Sequence, residues 1–241
     1  MSLFSTELPI PQRRAGPEYL DLPPEAYRLE ELEGSLADIR AVNRYLGDRQ
    51  ALMKHLAAGI GKGGSFSVLD VATGSADLPV AIADWARKTG ISAGITGVDI
   101  NERTIGVAHK QTAGYPEITL RVADGLNLPF PDKSFDFVFC CKTAHHLTDG
   151  DNVRLIQEMM RVAKQGYFVI DLRRSWVAWG LIYALTRLLT RNRLTRHDAP
   201  LSVLKAFTPG EFAALASRAG AGNFTVSREP FWLLVLSGAV T

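Results

Sequence analysis

The chain has 241 residues, of which 46% are hydrophobic and 22% charged, and its mean hydropathy is +0.03. This composition excludes a disordered or fibrous chain and indicates a globular protein with a hydrophobic core. The net charge of +2 is too small to indicate nucleic-acid binding by itself, so we expect no nucleic acid as a partner.

The sequence has neither the pattern of a signal peptide nor a stretch that could span a membrane, so we expect a cytoplasmic protein. Its first residues, MSLFSTELPIPQRR, lack the basic-then-apolar order of a signal peptide. The most apolar stretch, WVAWGLIYALTRLL, contains Arg187 and is too short to span a bilayer. Cys140 and Cys141 are adjacent, which predicts buried thiols of a reducing compartment rather than a disulfide or a zinc site. We expect no metal.

The N-terminal quarter is predicted to be an arm followed by helix. Residues 1–15 are rich in Pro and Arg, which is typical of a loose arm. Residues 24–64 carry apolar side chains at helical spacing and end in GIGKGG. We therefore predict an N-terminal arm and helical cap over residues 1–60, and a main domain over residues 61–241.

Strands and helices alternate through the middle of the chain. Apolar runs predict strands, and amphipathic runs between them predict helices. The strands are residues 68–71, 93–100, 117–125, 134–141 and 166–174, and the helices are residues 78–90, 101–114 and 149–164. This alternation predicts an α/β fold with a parallel sheet covered by helices on both faces.

The chain ends differently, in a predicted hairpin. A helix over residues 208–220 precedes strands at residues 223–229 and 231–238, and this connection is too short for a crossover helix. We therefore predict seven strands, parallel except for the last, which is antiparallel.

The turn after the first strand, in VLDVATGSADLPV, restricts the ligand of the sheet. A P-loop requires Gly-Lys-Ser/Thr where this chain has GSAD. A dinucleotide site requires a third glycine where Asp77 stands, and Asp70 would add a second negative charge near the pyrophosphate. Carboxylates also follow the next two strands, at Asp99 and Asp124. Acids at these three strand ends favour a cationic ligand with ribose hydroxyls, as in S-adenosylmethionine.

Each acid suits one part of that ligand. Asp70 would orient the amino end, often through water, and Asp99 would accept both ribose hydroxyls. Asp124 would accept the adenine amine, with the ring between Leu126 and Ile100. We therefore expect S-adenosylmethionine as cofactor and S-adenosylhomocysteine as product.

Four motifs in order, LDVATGSADL, GVDI, VADGLNLPFPDKSFDFVFCCKTAHHL and EMMRVAKQGYFVIDL, resemble those of class I S-adenosylmethionine-dependent methyltransferases. The third is most similar to the branch of ubiquinone and menaquinone C-methyltransferases and natural-product methyltransferases. The resemblance covers residues 66–172 and implies a Rossmann-like sheet and an enzyme. The usual Asp-x-Gly-x-Gly-x-Gly is altered, because its small positions are Ala72, Gly74 and Ala76.

The resemblance also implies further cofactor contacts. We include Ala72, Gly74, Gly125 and Cys141 among the candidates. Arg44, in the N-terminal helical segment, is a candidate partner of the cofactor carboxylate, as an arginine from that region is in some relatives.

Acceptor-side candidates lie after the fourth and fifth strands. His146, of the pair His145-His146, is a candidate catalytic residue, and the alternative is that both are structural. A helical lid insertion is predicted at residues 175–205, with an apolar face that either packs in the core or lines the acceptor pocket. His197, next to Asp198 in a polar loop, is a candidate base or a solvated residue before a proline.

We therefore expect a methyltransferase of secondary metabolism that acts on a small, largely apolar acceptor. An aromatic, quinone-like or polyketide-derived molecule methylated on oxygen is the first expectation, and carbon methylation of a prenylated quinone is the alternative. An RNA or protein methyltransferase and a non-catalytic cofactor-binding relative stay open. Arginines and tryptophans of the insertion also suggest transient contact with a membrane surface. The oligomeric state is not predicted.

Overall fold

Seven strands form one sheet in the computed structural model, which describes residues 10–60 and 64–240. The strands are Ser65–Val71 (β1), Ser92–Asp99 (β2), Ile118–Val122 (β3), Phe135–Cys141 (β4), Ala163–Leu172 (β5), Phe224–Glu229 (β6) and Leu233–Ala239 (β7). Their order is β3-β2-β1-β4-β5-β7-β6. Strands β1 to β5 pair in parallel, whereas β7 is antiparallel to both β5 and β6. The predicted seven-stranded sheet with an antiparallel last strand is confirmed.

Helices connect the strands and form the cap. The α-helices are Leu29–Tyr45 (α1), Asp48–Gly59 (α2), Asp77–Thr89 (α3), Glu102–Gln111 (α4), Asp149–Val162 (α5), Trp176–Leu189 (α6), Arg193–Lys205 (α7) and Pro209–Arg218 (α8). Short 3-10 helices occupy Tyr19–Asp21, Pro24–Ala26 and Ala144–His146. Residues 1–9 of the predicted arm and residues 61–63 lie outside the described residues, and the division at residue 60 stays a prediction.

Alternation along the strands gives the sheet two apolar faces. Leu69 and Val71 of β1 pack with residues of α5 and α8 in one core cluster. Phe66 and Val68 point to the other face, where they join residues of α2 and α3. Both clusters consist of fully buried side chains, so the central strands are covered on both faces, as predicted.

The two cysteines follow the same alternation. Cys140 lies in the first core cluster, whereas Cys141 packs against the second. Both thiols are free. Cys140 is buried as predicted, whereas Cys141 is only half-buried.

The predicted N-terminal helical segment is two helices rather than one. Gly47 has φ +96, between α1 and α2, and a Cβ there would lie 3.1 Å from the ring of Phe231. A left-handed residue ends one helix and turns the chain into the next.

The insertion at residues 175–205 also forms two helices, each with an N-cap. The Ser175 side chain accepts a hydrogen bond from the amide of Ala178 at the start of α6. Asn192 accepts from two amides at the start of α7. The prediction that His197 and Asp198 lie in a polar loop is wrong, because Asn192 starts a helix that contains them both.

Much of the apolar face of α6 points towards solvent, whereas a face that lines a pocket would point inward. Leu181, Leu188 and Leu189 are 49%, 81% and 78% exposed. Ile182, on the inner side of α6, lines a cavity at the carboxyl edge of the sheet. Among the described residues, no helix is long and apolar enough to cross a membrane.

The turn after β1 holds alanines in a glycine-like conformation. Ala72, Gly74 and Ala76 have φ of 60°, 57° and 59°. The left-handed conformation costs an L-residue about 1–2 kcal/mol, and glycine carries no such penalty. The departures from the glycine-rich pattern are therefore strained positions.

We predict that Ala72→Gly raises the free energy of unfolding by roughly 0.5 kcal/mol, because the relieved strain exceeds the extra entropy of an unfolded glycine. Urea unfolding measures the change. The matched control is Ala41→Gly, at an exposed position of α1. It should lower the free energy of unfolding by about 1 kcal/mol. A loss of stability in Ala72→Gly comparable to the control would contradict strain at this turn.

Candidate active site

A cavity of about 410 Å³ lies at the carboxyl ends of the central strands. Its floor is formed by the ends of β1, β2 and β4 and the turns that follow them, and its walls include α1 and α7. Ligands of open parallel sheets bind at this edge, beside the first strand. The predicted cofactor residues Asp70, Ala72, Gly74, Asp99, Ile100 and Cys141 all line the cavity.

Asp70 and Asp99 bring two carboxylates to this floor, the first buried and the second half-buried. The Thr73 hydroxyl donates to Asp70 at 2.7 Å, and the amides of Gly74 and Asn101 donate to Asp99 at 3.1 and 2.9 Å. Burial raises the pKa of Asp70 well above its ordinary value, and the charges of Asp77 and Asp99 raise it further. Burial also raises the pKa of Asp99, against the effect of its two backbone hydrogen bonds.

These carboxylates suit a ligand that carries positive charge and hydroxyl groups. A cation near Asp70 would relieve the repulsion from Asp77 and Asp99. Each carboxylate oxygen of Asp99 accepts one backbone hydrogen bond and keeps a second lone pair for a hydroxyl donor. The residues present therefore fit the sulfonium, ammonium and ribose groups of S-adenosylmethionine.

Lys142 and Asn43 form a neighbouring polar group of the cavity wall. The Lys142 ammonium donates to Asp48 at 2.7 Å and to the Asn43 amide oxygen at 3.1 Å. Asn43 in turn donates to Asp77 at 3.1 Å. Burial raises the pKa of the Cys141 thiol well above its ordinary value, so Cys141 is a neutral wall of the site.

Three of the predicted cofactor residues lie beside the cavity rather than in its lining. The carboxylate of Asp124 accepts from the amide of Leu126 at 2.9 Å, in the loop after β3. A Cβ on Gly125 would lie 2.7 Å from a methyl group of Val71, so packing against β1 accounts for this glycine. In this structure Asp124, Gly125 and Leu126 are not among the lining residues.

Arg44 is not brought to the cavity either. α1 lines the cavity with Leu36, Ile39 and Asn43, which share one helical face. Arg44 follows Asn43 by about 100° around the helix, so it is exposed, with its guanidinium 5.4 Å from the ring centre of Tyr45. In this structure Arg44 is not part of the cavity lining, whereas Asn43 and Lys142 are, and the role of Arg44 beside a cofactor carboxylate stays a prediction.

His145 is fixed by Asp171, which ends β5. The His145 ring nitrogen Nδ1 lies 2.7 Å from the carboxylate, and the His145 amide donates to it at 3.0 Å. Burial would raise the pKa of Asp171, but the charge and hydrogen bond of His145 outweigh it and hold that pKa below its ordinary value. His145 is buried between strand and cavity, in agreement with a structural role.

His146 forms a second pair, with Asp21 of the N-terminal segment. Its Nδ1 lies 2.6 Å from the Asp21 carboxylate. Burial would lower the pKa of His146, but the Asp21 hydrogen bond and the charges of Glu18 and Asp21 outweigh it and raise that pKa. The same contact lowers the pKa of Asp21 to about 2, against the effect of burial. Nδ1 is therefore engaged by the Asp21 carboxylate, and Nε2 lies 3.7 Å from Oε2 of Glu18.

Glu18, His145 and His146 each place one possible metal-ligand atom within 4.8 Å of the other two. The Lys205 ammonium already lies 3.3 Å from Glu18 and 3.3 Å from Asp21, and it supplies a cation to this group. The contact with Glu18 is to its oxygen Oε1, while the Ser202 hydroxyl donates to Oε2 at 3.0 Å. Glu18 is a residue of the cavity lining, and its carboxylate is held by the cation and the hydroxyl of α7.

The second predicted catalytic residue, His197, lies outside the cavity lining. Its ring stacks on Tyr19 with 3.9 Å between ring centres, and its Nδ1 lies 2.7 Å from Asp198. Asp198 does line the cavity, and its carboxylate also accepts hydrogen bonds from the backbone amides of Tyr19 and Leu20. The structure therefore gives this His-Asp pair the role of anchoring the N-terminal segment.

Sequence reasoning missed the charged residues around His145 and His146, which are Glu18, Asp21, Asp171 and Lys205. Asp171 could have been found, because it ends a predicted strand just as Asp70 and Asp99 do. Glu18 and Asp21 follow a proline-rich arm with no periodic pattern, and Lys205 lies near the far end of the chain. No local signal connects these three residues.

Comparison with known proteins agrees with this geometry. A family model described as a methyltransferase domain matches residues 68–166. The demethylmenaquinone methyltransferase of Lysinibacillus sphaericus is 34% identical over 131 residues, which are 54% of this chain and 52% of that protein. The chain spans about half the length of the curated relatives it matches.

Solved structures share the fold at low identity. A SAM-dependent methyltransferase from Aquifex aeolicus has a TM-score of 0.63 and 18% identity, covering 87% of this chain and 98% of its own. Human N-acetylserotonin methyltransferase, solved in complex with SAM, has a TM-score of 0.63 and 17% identity, covering 88% of this chain and 56% of its own. Residues 68–166 thus match a methyltransferase domain, and the chain shares the fold of solved S-adenosylmethionine-dependent methyltransferases.

Proposed function

We propose that this chain transfers a methyl group from S-adenosylmethionine to a small, largely apolar aromatic acceptor with a hydroxyl group. One observation carries the proposal: Asp70 and Asp99, the His146–Asp21 pair and an apolar face of α1 all line the same cavity. A cation-binding floor, a base and an apolar wall are the parts that methylation of a phenol or quinol requires.

Asp70, Asp99 and the turn at Gly74 hold the cofactor in this proposal. When bound, S-adenosylmethionine supplies an electrophilic methyl group on a positively charged sulfur. Asp99 accepts the ribose hydroxyls, and Asp70 orients the amino group while its neighbouring carboxylates favour the sulfonium charge. The adenine position predicted for Asp124 also belongs to the proposal.

His146 acts as the general base. Asp21 holds Nδ1 of the ring, which fixes the tautomer and leaves Nε2 to take the proton of the acceptor hydroxyl. Glu18, whose Oε2 lies 3.7 Å from Nε2, stabilises the ring once it has taken the proton. Removal of the proton turns a weak hydroxyl nucleophile into a phenolate.

The apolar wall selects a ring without much polar decoration. α1 supplies Leu32, Leu36, Ile39 and Val42 to the cavity, and α7 supplies Val203. Such a wall favours aromatic, quinone-like or polyketide-derived acceptors over nucleotides and peptides.

The position of methylation on the acceptor has two candidates. A phenolate carries negative charge on oxygen and on ring carbons beside it, so one base serves O-methylation and C-methylation. His146 as base therefore serves both candidates, and O-methylation is the first expectation from the sequence. The relatives named demethylmenaquinone methyltransferase favour carbon methylation of a prenylated quinone.

The proposal is tested with methyl-¹³C-labelled cofactor and two acceptors, an alkyl phenol and a reduced demethylmenaquinone. We expect methylation of at least one of them, and ¹³C NMR distinguishes a methoxy from a ring-methyl carbon. An O-methyl product supports the first candidate and a ring-methyl product the second. Absence of transfer to any phenol or quinol, with methylation of RNA or a peptide instead, would overturn the proposed acceptor class.

Cofactor binding should depend on Asp99. We predict that Asp99→Ala weakens binding of S-adenosylmethionine and S-adenosylhomocysteine by about tenfold or more, because two hydrogen bonds to a charged group are lost. Isothermal titration calorimetry measures it. Asp132→Ala, at an acid that is 77% exposed, should leave binding unchanged, and Asp99→Asn serves if the alanine variant unfolds. Equal affinities for all variants would remove Asp99 from the cofactor site.

The rate of methyl transfer should rise with pH through the raised pKa of His146. Only the neutral ring takes a proton, and Asp21 stabilises the protonated form, so the neutral form develops above the ordinary histidine value. Asp21→Asn removes that stabilisation and should move the rising limb to lower pH. His146→Gln should lower kcat by about a hundredfold or more and abolish the limb.

These profiles are measured at saturating cofactor and acceptor. His109→Gln, at an exposed histidine of α4, is the matched control and should keep the wild-type profile. A profile of His146→Gln that matches the wild type would show that His146 is not the base.

A further inference from the structure

Helix α6 presents an apolar surface to solvent. Of its fourteen residues, Ala178 and Thr186 are buried, while Leu188 and Leu189 are about four-fifths exposed, at 81% and 78%. Leu181 and Trp176 are also exposed. Soluble monomers rarely expose contiguous apolar patches of this kind unless the patch contacts a partner.

The same surface is surrounded by positive charge. From Leu172 to His197 the sequence contains six arginines and no acidic residue. Arg174 and Arg193 pair with Glu211 and Glu31. Arg187 donates to a backbone carbonyl and lies 4.4 Å from the ring centre of Tyr183, and within the described ranges it pairs with no carboxylate. The rim of the patch therefore attracts an anionic partner.

Charge and aromatic content identify the chemistry of that partner. A symmetric second copy would bring identical arginine-rimmed patches together, which repel. Trp176, Trp179 and Tyr183 stack along the helix, with 5.8 and 5.5 Å between successive ring centres. Tryptophan and tyrosine with leucines on one face and arginines beside them are the composition of helices that lie in a lipid interface.

We propose that the exposed face of α6 docks on an anionic phospholipid surface. The helix lies in the plane of the interface, with Leu181, Leu188 and Leu189 among the lipid chains and Arg187 near the phosphates. Ile182, on the inner side of α6, lines the cavity. Docking therefore holds the cavity at the lipid boundary, and the link to an apolar acceptor rests on the proposed function.

The experiment uses the full chain and two kinds of vesicle, phosphatidylcholine alone and phosphatidylcholine mixed with phosphatidylglycerol. We expect co-sedimentation with the mixed vesicles, weakened by salt, with binding to pure phosphatidylcholine about tenfold or more weaker. Leu188→Glu combined with Leu189→Glu should reduce binding to mixed vesicles by about tenfold or more. Arg187→Gln should reduce it by roughly fivefold.

The matched control is Val122→Glu, which makes the same kind of change at an exposed apolar residue of edge strand β3. It should bind like the wild type. Absence of binding to mixed vesicles, or equal binding by the wild type and the double leucine variant, would overturn the proposal. A dimer in sedimentation velocity that the double variant dissociates, without vesicle binding, would overturn it in favour of self-association. No cofactor or acceptor is present, so this result is independent of methyl transfer.

Discussion

Buried negative charge at the carboxyl edge of the sheet is the constraint on which the site depends. Asp70, Asp99 and Asp171 lie at the ends of three parallel strands, where Asp70 and Asp171 are buried and Asp99 is half-buried. A buried carboxylate is stable only with hydrogen bonds or a cation beside it. Asp171 has the ring of His145, whereas Asp70 and Asp99 have only neutral hydroxyl and amide donors. The floor of the cavity is therefore the place where a cationic ligand gains most.

A second charged group forms the roof of the cavity, where it connects residues 18–21 to helix α7. Asp198, Ser202 and Lys205 lie at i, i+4 and i+7 on one face of α7, where they hold residues 18–21 by hydrogen bonds and ion pairs. This contact places Glu18 and Asp21 against His146. The polarity of the acceptor side thus depends on helix α7, which also lines the cavity with Thr195, Asp198 and Ser202.

The fold and the floor of the site could be predicted, because both follow from patterns with a physical period. Parallel strands end at one edge, so Asp70 and Asp99 had to meet there. The roof could not be predicted in the same way. Arg44 and Asn43 are neighbours in sequence, but about 100° of helix rotation separates the cavity from solvent. The helical pattern of α6 distinguishes an apolar and a polar face, but it does not show which of them points inward. No local pattern indicates that Glu18 and Lys205 are in contact.

The orientation of α6 follows from what already fills the cavity. α1 supplies the apolar wall with Leu32, Leu36 and Ile39, so the pocket needs little more than Ile182 from α6. The remaining leucines of α6 then have no core to enter, because α7 packs beneath the helix and closes the space. Exposed leucines cost the folded chain nothing relative to an unfolded one that exposes them too. Their burial lowers the free energy only when another apolar phase covers them. The exposed face of α6 is therefore stabilised by a contact outside the fold.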